Sequence, residues 1–283
     1  MSEEHQGTLV IIGGAEDKDS DCQILRKLVR LCGEKGHMVV VAVAAQDQQE
    51  AGAKYQRVFS SLGLKNTAVI TMAERGEANS PHLHSILKDA GAVFFTGGDQ
   101  LRITGMLGGT EFGHLLNQRY RSGTIIAGTS AGAAAMSQTM IIGGEESEAP
   151  RHATAHMAPG LGLLEEVVVD QHFAQRGRIG RLLSAIAQNP RVIGLGVDED
   201  TAAFVRSGRE MEVVGSGSVT ILDATGITHS NLSETSLGQP LALSHVTVHV
   251  LPSGYTYDLR NRTMAAPAKE NENPHEEDVT ARH

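Results

Sequence analysis

The segment 128–132, which reads GTSAG, has the residue types and spacing best suited to chemistry. It fits the G-x-S-x-G pattern, follows an apolar run at 124–127 and precedes a helix of small residues predicted over 133–137. A sharp turn between a strand and a helix exposes the Ser130 hydroxyl as a nucleophile, and the crowded backbone requires near-glycine neighbours. We expect the Ala131 amide to donate to an oxyanion, assisted by the helix N-terminus. The alternative is a plain Gly/Ala turn with an incidental serine.

A second group of backbone donors is predicted at 97–98, where two glycines follow the apolar strand 92–95. Open α/β sheets place their sites at the carboxyl ends of strands, so the Gly98 amide is a candidate oxyanion donor. A purely structural Gly-Gly turn is the alternative, and Gly13 and Gly14 carry the same ambiguity. Neither pair belongs to a GxGxxG or phosphate-loop motif, so the sequence does not support nucleotide binding.

A serine nucleophile needs a base and an acid that orients the base. His172 ends the strand-like run 167–172, and Glu199 follows the next apolar strand, 192–197, so both are predicted at strand carboxyl ends. The order serine, histidine, acid differs from the order in α/β-hydrolases, chymotrypsin and subtilisin. The sequence therefore predicts a serine hydrolase of another fold.

Charged side chains cluster near these residues. Arg176, Arg178 and Arg181 follow the histidine closely and form either a clamp for a substrate carboxylate or a solvated helix face. The loop containing Glu145, Glu146 and Glu148 either faces a cationic group or is a solvated acidic run. His152 and His156 have i, i+4 spacing but no further ligand pattern, so no metal site is predicted.

The first two thirds of the chain alternate apolar strands with amphipathic helices. Strands are predicted at 8–12, 38–44, 68–72 and 92–96, and helices at 19–35, 50–62, 82–90 and 101–117. Uniformly apolar strands are typical of a parallel sheet that is covered on both faces. The predicted fold is therefore an α/β/α sandwich of three layers with a mostly parallel sheet.

After residue 194 the chain changes to short strands separated by turns, at 202–205, 210–214, 218–222 and 245–251, which predicts an antiparallel C-terminal extension. We expect a single domain over 1–265. The tail 266–283 is rich in acids and nearly lacks apolar side chains, which predicts disorder.

Composition excludes several classes of function. The 283 residues include 24 Lys and Arg against 33 Asp and Glu, a net charge of −9, which opposes binding to nucleic acid. No run approaches the roughly 18 apolar residues of a membrane span. The two cysteines, Cys22 and Cys32, lie too far apart on the predicted helix for a disulfide, so we expect reduced thiols and a cytoplasmic protein.

Four segments in order resemble the cyanophycinase family, within the wider group of aspartyl dipeptidase E-like serine peptidases, over about residues 8–260. They are GGDQ at 97–100, GTSAGA at 128–133, DQHF at 170–173 with the three arginines, and VDEDTA at 197–202. The resemblance implies a fold like class I glutamine amidotransferases, with Ser130 as nucleophile, His172 as base and Glu199 as acid. It implies a substrate pocket lined by Gln100, Asp170, Gln171, Arg176, Arg178 and Arg181.

The substrate implied by this resemblance is cyanophycin, a poly-aspartate whose β-carboxyls carry arginines, cut from an end into β-Asp-Arg dipeptides. A homodimer is also implied, and acyl transfer through a serine needs no metal or organic cofactor. Two alternatives stay open: a dipeptidase of the same fold acting on aspartyl or isoaspartyl peptides, and a non-catalytic α/β binding domain.

Overall fold

The computed structural model describes residues 6–33, 36–144 and 149–267. The helices are α1 (Gln23–Cys32), α2 (Gln48–Ser61), α3 (Pro81–Lys88), α4 (Gln100–Leu107), α5 (Glu111–Arg121), α6 (Ala131–Ala134) and α7 (Ile179–Gln188). The first nine strands are β1 (Thr8–Ile12), β2 (His37–Val41), β3 (Asn66–Ile70), β4 (Ala92–Phe95), β5 (Ile125–Thr129), β6 (Thr139–Gly143), β7 (His156–Pro159), β8 (Val167–Gln171) and β9 (Ile193–Val197). The later strands are β10 (Thr201–Arg206), β11 (Glu210–Gly215), β12 (Ser218–Asp223), β13 (His229–Ser230), β14 (Leu243–Ser244), β15 (Thr247–Pro252), β16 (Thr256–Asp258) and β17 (Thr263–Ala265).

The central sheet has the strand order β17-β16-β11-β10-β1-β5-β4-β2-β3. Strands β1, β5, β4, β2 and β3 run parallel to one another, as βαβ units require. Four strands from the C-terminal part extend the sheet antiparallel beyond β1. The predicted α/β class and its antiparallel C-terminal extension are confirmed.

Strand β2 illustrates why the sheet is covered on both faces. The side chains at 38–41 are fully buried, with Val39 and Val41 in one hydrophobic cluster and Met38 and Val40 in the other. Successive side chains of a strand point to opposite faces, so each face needs its own layer of helices. Helices α1 and α2 pack on the Val40 face, and α3 and α5 pack on the Val39 face. These are the three layers of the sandwich.

A second sheet has the order β15-β12-β9-β8, in which β8 and β9 are parallel. Helix α7 covers it, with Leu182 and Ile186 packed in one cluster with Val168 and Leu222. The sequence predicts β8 and β9 as strands but does not separate them from the central sheet. This matters for the site because these two strands precede His172 and Glu199.

The single helix predicted over 101–117 is wrong, because the chain forms α4 and α5 with a break between them. Gly109 adopts a φ of +68°, which a continuous helix does not allow. Thr110 then begins α5 as its N-cap, with its hydroxyl accepting a hydrogen bond from the Gly113 amide at 3.3 Å. The local G-G-T sequence ends one helix and starts the next.

Two other predicted helices are shorter than expected. The helix predicted over 19–35 begins at Gln23, because the Asp17 carboxylate accepts from the backbone amides of Asp19, Ser20 and Cys22 and fixes a loop there. The helix after the elbow is a single turn, α6, so its dipole is smaller than that of a long helix. The hairpin β6–β7 was not predicted.

Across the described ranges, none of the helices combines the length and apolar character that crossing a membrane requires. Two sequence predictions lie outside the described residues: the role of the acidic loop containing Glu145, Glu146 and Glu148, and the disorder of the tail from residue 268 onward.

Candidate active site

Carboxyl ends of strands from both sheets meet at the candidate active site. Strands β1 and β5 are neighbours in the central sheet, and the segments that follow β8 and β9 return to the end of β1 through backbone hydrogen bonds. The His172 amide donates to the Gly13 carbonyl at 2.8 Å, and the Asp200 amide donates to the Gly14 carbonyl at 2.9 Å. The Ser130 amide donates to the Ile12 carbonyl at 3.0 Å. Three consecutive carbonyls of the β1 end thus anchor the three predicted catalytic segments.

Ser130 occupies a strained backbone conformation between β5 and α6. Its φ of +53° and ψ of −111° are rare for a residue with a Cβ, as expected for a nucleophile elbow. The glycines on either side allow the turn. A Cβ added to Gly128 would lie 2.5 Å from the Gly132 carbonyl carbon, and one added to Gly132 would lie 2.5 Å from the Phe95 carbonyl oxygen. Neither position has room for a side chain.

Ser130, His172 and Glu199 form one chain of hydrogen bonds. The Ser130 Oγ lies 2.9 Å from His172 Nε2, and His172 Nδ1 lies 2.6 Å from Glu199 Oε1. A carboxylate at Nδ1 favours the tautomer with its proton there, which leaves Nε2 to accept the serine proton. The His172 side chain is 12% exposed and that of Glu199 37% exposed, so the base is sheltered while the acid reaches solvent.

Gly14 provides the space for the imidazole. It has a φ of +106°, and a Cβ at this position would lie 2.3 Å from His172 Cε1 and 2.4 Å from Nε2. The Gly13-Gly14 turn, whose role the sequence leaves open, is therefore part of the site, and Gly14 lies against the His172 imidazole.

The segments that carry the two predicted oxyanion donors both reach Ser130. The backbone of Gly97 passes so close that a Cβ there would lie 3.5 Å from Ser130 Cβ and 4.0 Å from its Oγ. Gly98 follows with a φ of +142° that turns the chain toward α4, and Ala131 begins α6 directly after the nucleophile. Gly98 and Ala131 each follow directly a residue at the nucleophile, Gly97 and Ser130, and oxyanion binding by their amides stays a prediction.

Two of the three predicted clamp arginines are paired inside the protein. Arg181 binds the Asp170 carboxylate through Nε at 2.9 Å and Nη2 at 2.5 Å, and Arg178 Nη1 approaches the same carboxylate at 3.5 Å. Each arginine is 5% exposed and Asp170 is 1% exposed. The alternative of a solvated helix face is therefore wrong for Arg178 and Arg181. A substrate contact stays a prediction, but the Asp170 carboxylate already pairs with both guanidinium groups.

Arg178 also holds the neighbouring Gln171. Its Nη1 donates to the Gln171 carbonyl at 2.6 Å and to the side-chain Oε1 at 3.0 Å. Gln171 precedes His172 directly, so the buried ion pair fixes the chain immediately before the predicted base.

The remaining pocket candidates lie at the surface or at its edge. Arg176 is exposed at the end of the short 3₁₀ turn Ala174–Arg176. Gln100 begins α4, and its Nε2 donates to the Ile141 carbonyl at 2.9 Å, which ties α4 to β6. His152 Nδ1 binds the Thr235 carbonyl at 2.5 Å, away from any cation ligand set. In the part of the chain that is described, no three His, Cys, Asp or Glu side chains cluster in a way that suits a metal ion.

Three polar side chains that support the site are not predicted from the sequence. Glu16 is buried and accepts from the Thr129 hydroxyl at 2.5 Å. Asp198 Oδ1 accepts from the Ala174 amide at 3.1 Å, and Gln175 Oε1 accepts from the Glu199 amide at 3.0 Å. Glu16 and Asp198 each follow the carboxyl end of an apolar strand, the same signal that identified His172 and Glu199.

Known proteins are similar to this chain in sequence and in fold. The sequence model described as Peptidase family S51 matches residues 9–213. A cyanophycinase of Trichormus variabilis is 40% identical over 258 residues, which cover 90% of this chain and 87% of that protein. A cyanophycinase of Geminocystis herdmanii is 36% identical over 268 residues, which cover 94% and 98% of the two chains. The crystal structure of a peptidase from an acI-B1 Actinobacterium matches with a TM-score of 0.67 at 21% identity, covering 91% of this chain and 98% of that one, which shows a shared fold.

Proposed function

The chain belongs to Peptidase family S51 and is a serine peptidase, and on this premise we propose that it degrades cyanophycin into β-Asp-Arg dipeptides through a Ser130-His172-Glu199 triad. The observation that carries the triad is the continuous hydrogen-bond chain from the Ser130 hydroxyl through the imidazole to the carboxylate. The substrate is inferred from the relatives that bear the name cyanophycinase and cover nearly all of this chain.

The proposed reaction is acyl transfer in two steps. Ser130 Oγ attacks the peptide carbonyl carbon while its proton passes to His172 Nε2, and the amides of Gly98 and Ala131 donate to the oxyanion. His172 then returns the proton to the departing amine, the C–N bond breaks, and an ester to Ser130 remains. Water attacks this ester, with His172 as base again, which releases the acid product and restores the serine. Every step uses protein groups and water.

The charges around the site fit a substrate that carries both carboxylates and guanidinium groups. We assign exposed Arg176 to meet a substrate carboxylate from solvent. The Gln171 Oε1 accepts from Arg178, which leaves its NH₂ group as a donor toward substrate, and Gln100 lies at the start of α4 after the oxyanion loop. We assign Asp170, Arg178 and Arg181 to the pocket wall, where they hold Gln171 and His172 in place.

The decisive experiment offers purified cyanophycin and Asp-X dipeptides side by side, followed by mass identification of the products. β-Asp-Arg from the polymer is the expected result. Consumption of Asp-X or isoaspartyl dipeptides alone would instead identify a dipeptidase of the same fold.

The nucleophile is tested separately with Ser130→Ala and with a phosphonofluoridate that reacts with activated serines. Ser130→Ala should lower turnover by about 10⁴-fold or more with binding largely retained, because the triad acts as a unit. The reagent should label Ser130 in the wild-type chain. An unlabelled, inactive wild-type protein would favour a non-catalytic binding domain.

The same resemblance supports a homodimer that works in the cytoplasm. The two cysteines, Cys22 and Cys32, are both free thiols, as a reducing compartment favours. Light scattering is expected to give about twice the 30.0 kDa of one chain, and a mass of one chain would overturn the dimer.

A further inference from the structure

Glu16 is a buried carboxylate for which the proposed reaction has no use. It lies four residues after the end of β1 and is 3% exposed. It binds three side chains, two of which come from distant parts of the chain. Its Oε1 accepts from the Tyr55 hydroxyl at 2.5 Å and pairs with Lys18 Nζ at 3.0 Å. Its Oε2 accepts from the Thr129 hydroxyl at 2.5 Å. Thr129 is also buried, at 3% exposure.

We propose that Glu16 is a positioning residue for the nucleophile and acts through the Thr129 side chain, an inference that rests on Ser130 being the nucleophile. Thr129 is the last residue of β5 and is bonded covalently to Ser130. The positive-φ conformation at Ser130 is strained and persists only where its surroundings hold it. A carboxylate that binds the side chain immediately before the strained residue supplies such a restraint.

The residues between β1 and Glu16 also hold the backbone around the nucleophile. Ile12 pairs with Thr129 in the sheet, and the Ile12 carbonyl accepts from the Ser130 amide. The next carbonyl, that of Gly13, accepts from the His172 amide. The segment 12–16 therefore holds the nucleophile by backbone and side chain and the base by backbone, so it sets the distance between Ser130 Oγ and His172 Nε2.

All three partners of Glu16 are hydrogen-bond donors, which suits the oxygens of a carboxylate. Charge-assisted hydrogen bonds are shorter and stronger than neutral ones, which suits a carboxylate that must hold a hydroxyl in a fixed position. Lys18 offsets the cost of burying the negative charge. Burial and the nearby Glu16 charge raise the pKa of Tyr55 well above its ordinary value, so its hydroxyl keeps the proton that it donates.

The test compares Thr129→Val, Thr129→Ser and Glu16→Gln with the wild-type chain. Thr129→Val removes the hydroxyl at nearly constant volume, whereas Thr129→Ser retains it. We expect the kcat of the valine and glutamine variants to fall by about 10- to 100-fold with KM within about twofold, because a small displacement of the nucleophile slows chemistry more than binding. The serine variant should stay within about threefold of wild type.

A second readout does not depend on the polymer. The rate of Ser130 labelling by a phosphonofluoridate should fall in parallel with kcat in the valine and glutamine variants. Because both changes weaken the same hydrogen bond between Thr129 and Glu16, the kcat of the double variant should be little lower than that of either single variant. Labelling at the wild-type rate in folded Thr129→Val would overturn the positioning role while leaving the proposed function intact. A wild-type chain that is not labelled at all would overturn both.

A matched control separates positioning from general stability. Asp223 is another buried carboxylate that binds a threonine hydroxyl, that of Thr225 at 2.8 Å, and a cation, Arg262. Asp223 is the last residue of β12 and pairs with Ile193, the first residue of β9. Glu199 follows the opposite end of β9. Asp223→Asn should lower the melting temperature without changing kcat. Equal losses of kcat in Asp223→Asn and Glu16→Gln variants of equal stability would also overturn the proposal.

Discussion

Gly14 and His172 are in van der Waals contact at the centre of the site, and this contact explains a glycine whose role the sequence leaves ambiguous. The imidazole must reach Ser130 Oγ and Glu199 at once, and its ring fills the space that any side chain at position 14 would occupy. The positive φ of Gly14 adds a second requirement for glycine.

We therefore predict that Gly14→Ala lowers kcat by about 100-fold, because the new methyl group displaces the His172 ring from the serine. Steady-state kinetics and Ser130 labelling measure the effect. Gly63→Ala is the control: Gly63 has a similar φ of +95°, but a Cβ there meets nothing within 4 Å. It should share the backbone strain and keep wild-type kcat. Equal kinetic losses in the two variants would contradict a specific contact with the ring.

The buried pairing of Asp170 with its arginines gives a second prediction about single residues. Asp170→Asn should destabilise the protein by about 3–5 kcal/mol, because Arg181 then remains buried without the carboxylate that its Nε and Nη2 both bind. Denaturant unfolding measures this change. Glu50→Gln breaks an ion pair with Arg57 whose partners are about two thirds exposed, and it should cost at most about 1 kcal/mol. A raised KM with unchanged stability in Asp170→Asn would indicate direct substrate contact instead.

At the scale of elements, the strand-turn-helix unit β5-α6 depends on its contact with the neighbouring strand β4. A Cβ at Gly132 would lie 2.5 Å from the Phe95 carbonyl oxygen and 2.7 Å from Phe95 Cβ. Phe95 is fully buried in the core, so it has no free space to move into. The elbow can pack at this distance only with glycine.

Gly132→Ala is accordingly predicted to lower both the free energy of unfolding, by about 1–3 kcal/mol, and the turnover. Thermal unfolding and kinetics measure the two effects. Gly105→Ala in α4 offers a contrast, since a Cβ there meets nothing within 4 Å and alanine favours a helix by about 0.5–1 kcal/mol. That variant should be at least as stable as wild type. A stable and active Gly132→Ala protein would contradict the packing argument.

For the whole molecule, carboxylates with lowered pKa values link stability to pH. Backbone hydrogen bonds, first that from Cys22, lower the pKa of Asp17 to about 2, and the hydrogen bond from Arg209 lowers the pKa of Asp258. Burial raises the pKa of Glu212, but Lys27 and Arg206 outweigh it and the net pKa is lowered. In the unfolded chain these groups have their ordinary values.

Because each folded pKa lies below the unfolded one, the unfolded state binds more protons as the pH falls. The stabilisation is complete above the ordinary carboxyl values near 4 and is lost as the pH falls from about 4 toward about 2. Urea unfolding at a series of pH values should show this decline. Asp17→Asn should be less stable at neutral pH, and its stability should fall less steeply as the pH drops below about 4.

We propose that residues 1–265 form a single domain, so one cooperative transition is expected, and two separate transitions would contradict it.

Much of the fold was predictable because its strands carry a local signal. Strand β1 was predicted at its observed bounds, and β4 differs by one residue, since a buried parallel strand is a continuous apolar run. The division between α4 and α5 was missed because the apolar spacing continues across Gly109 while the backbone there does not. The separate sheet formed by β8 and β9 was also missed, since periodicity reveals a strand but not its partner.

The sequence by itself determined the class of fold, the elbow around Ser130, and the candidates His172 and Glu199, because strand ends and glycine turns are local features. Only the tertiary structure decided which groups meet. It placed the imidazole between the serine and the glutamate, and it paired Arg181 with Asp170 inside the protein. It also brought the Glu16 carboxylate within hydrogen-bond distance of the Thr129 hydroxyl. These contacts join residues as many as 113 positions apart in the chain. Their geometry follows from how the strands, the turns after them and α7 pack in three dimensions, which no local pattern of residues encodes.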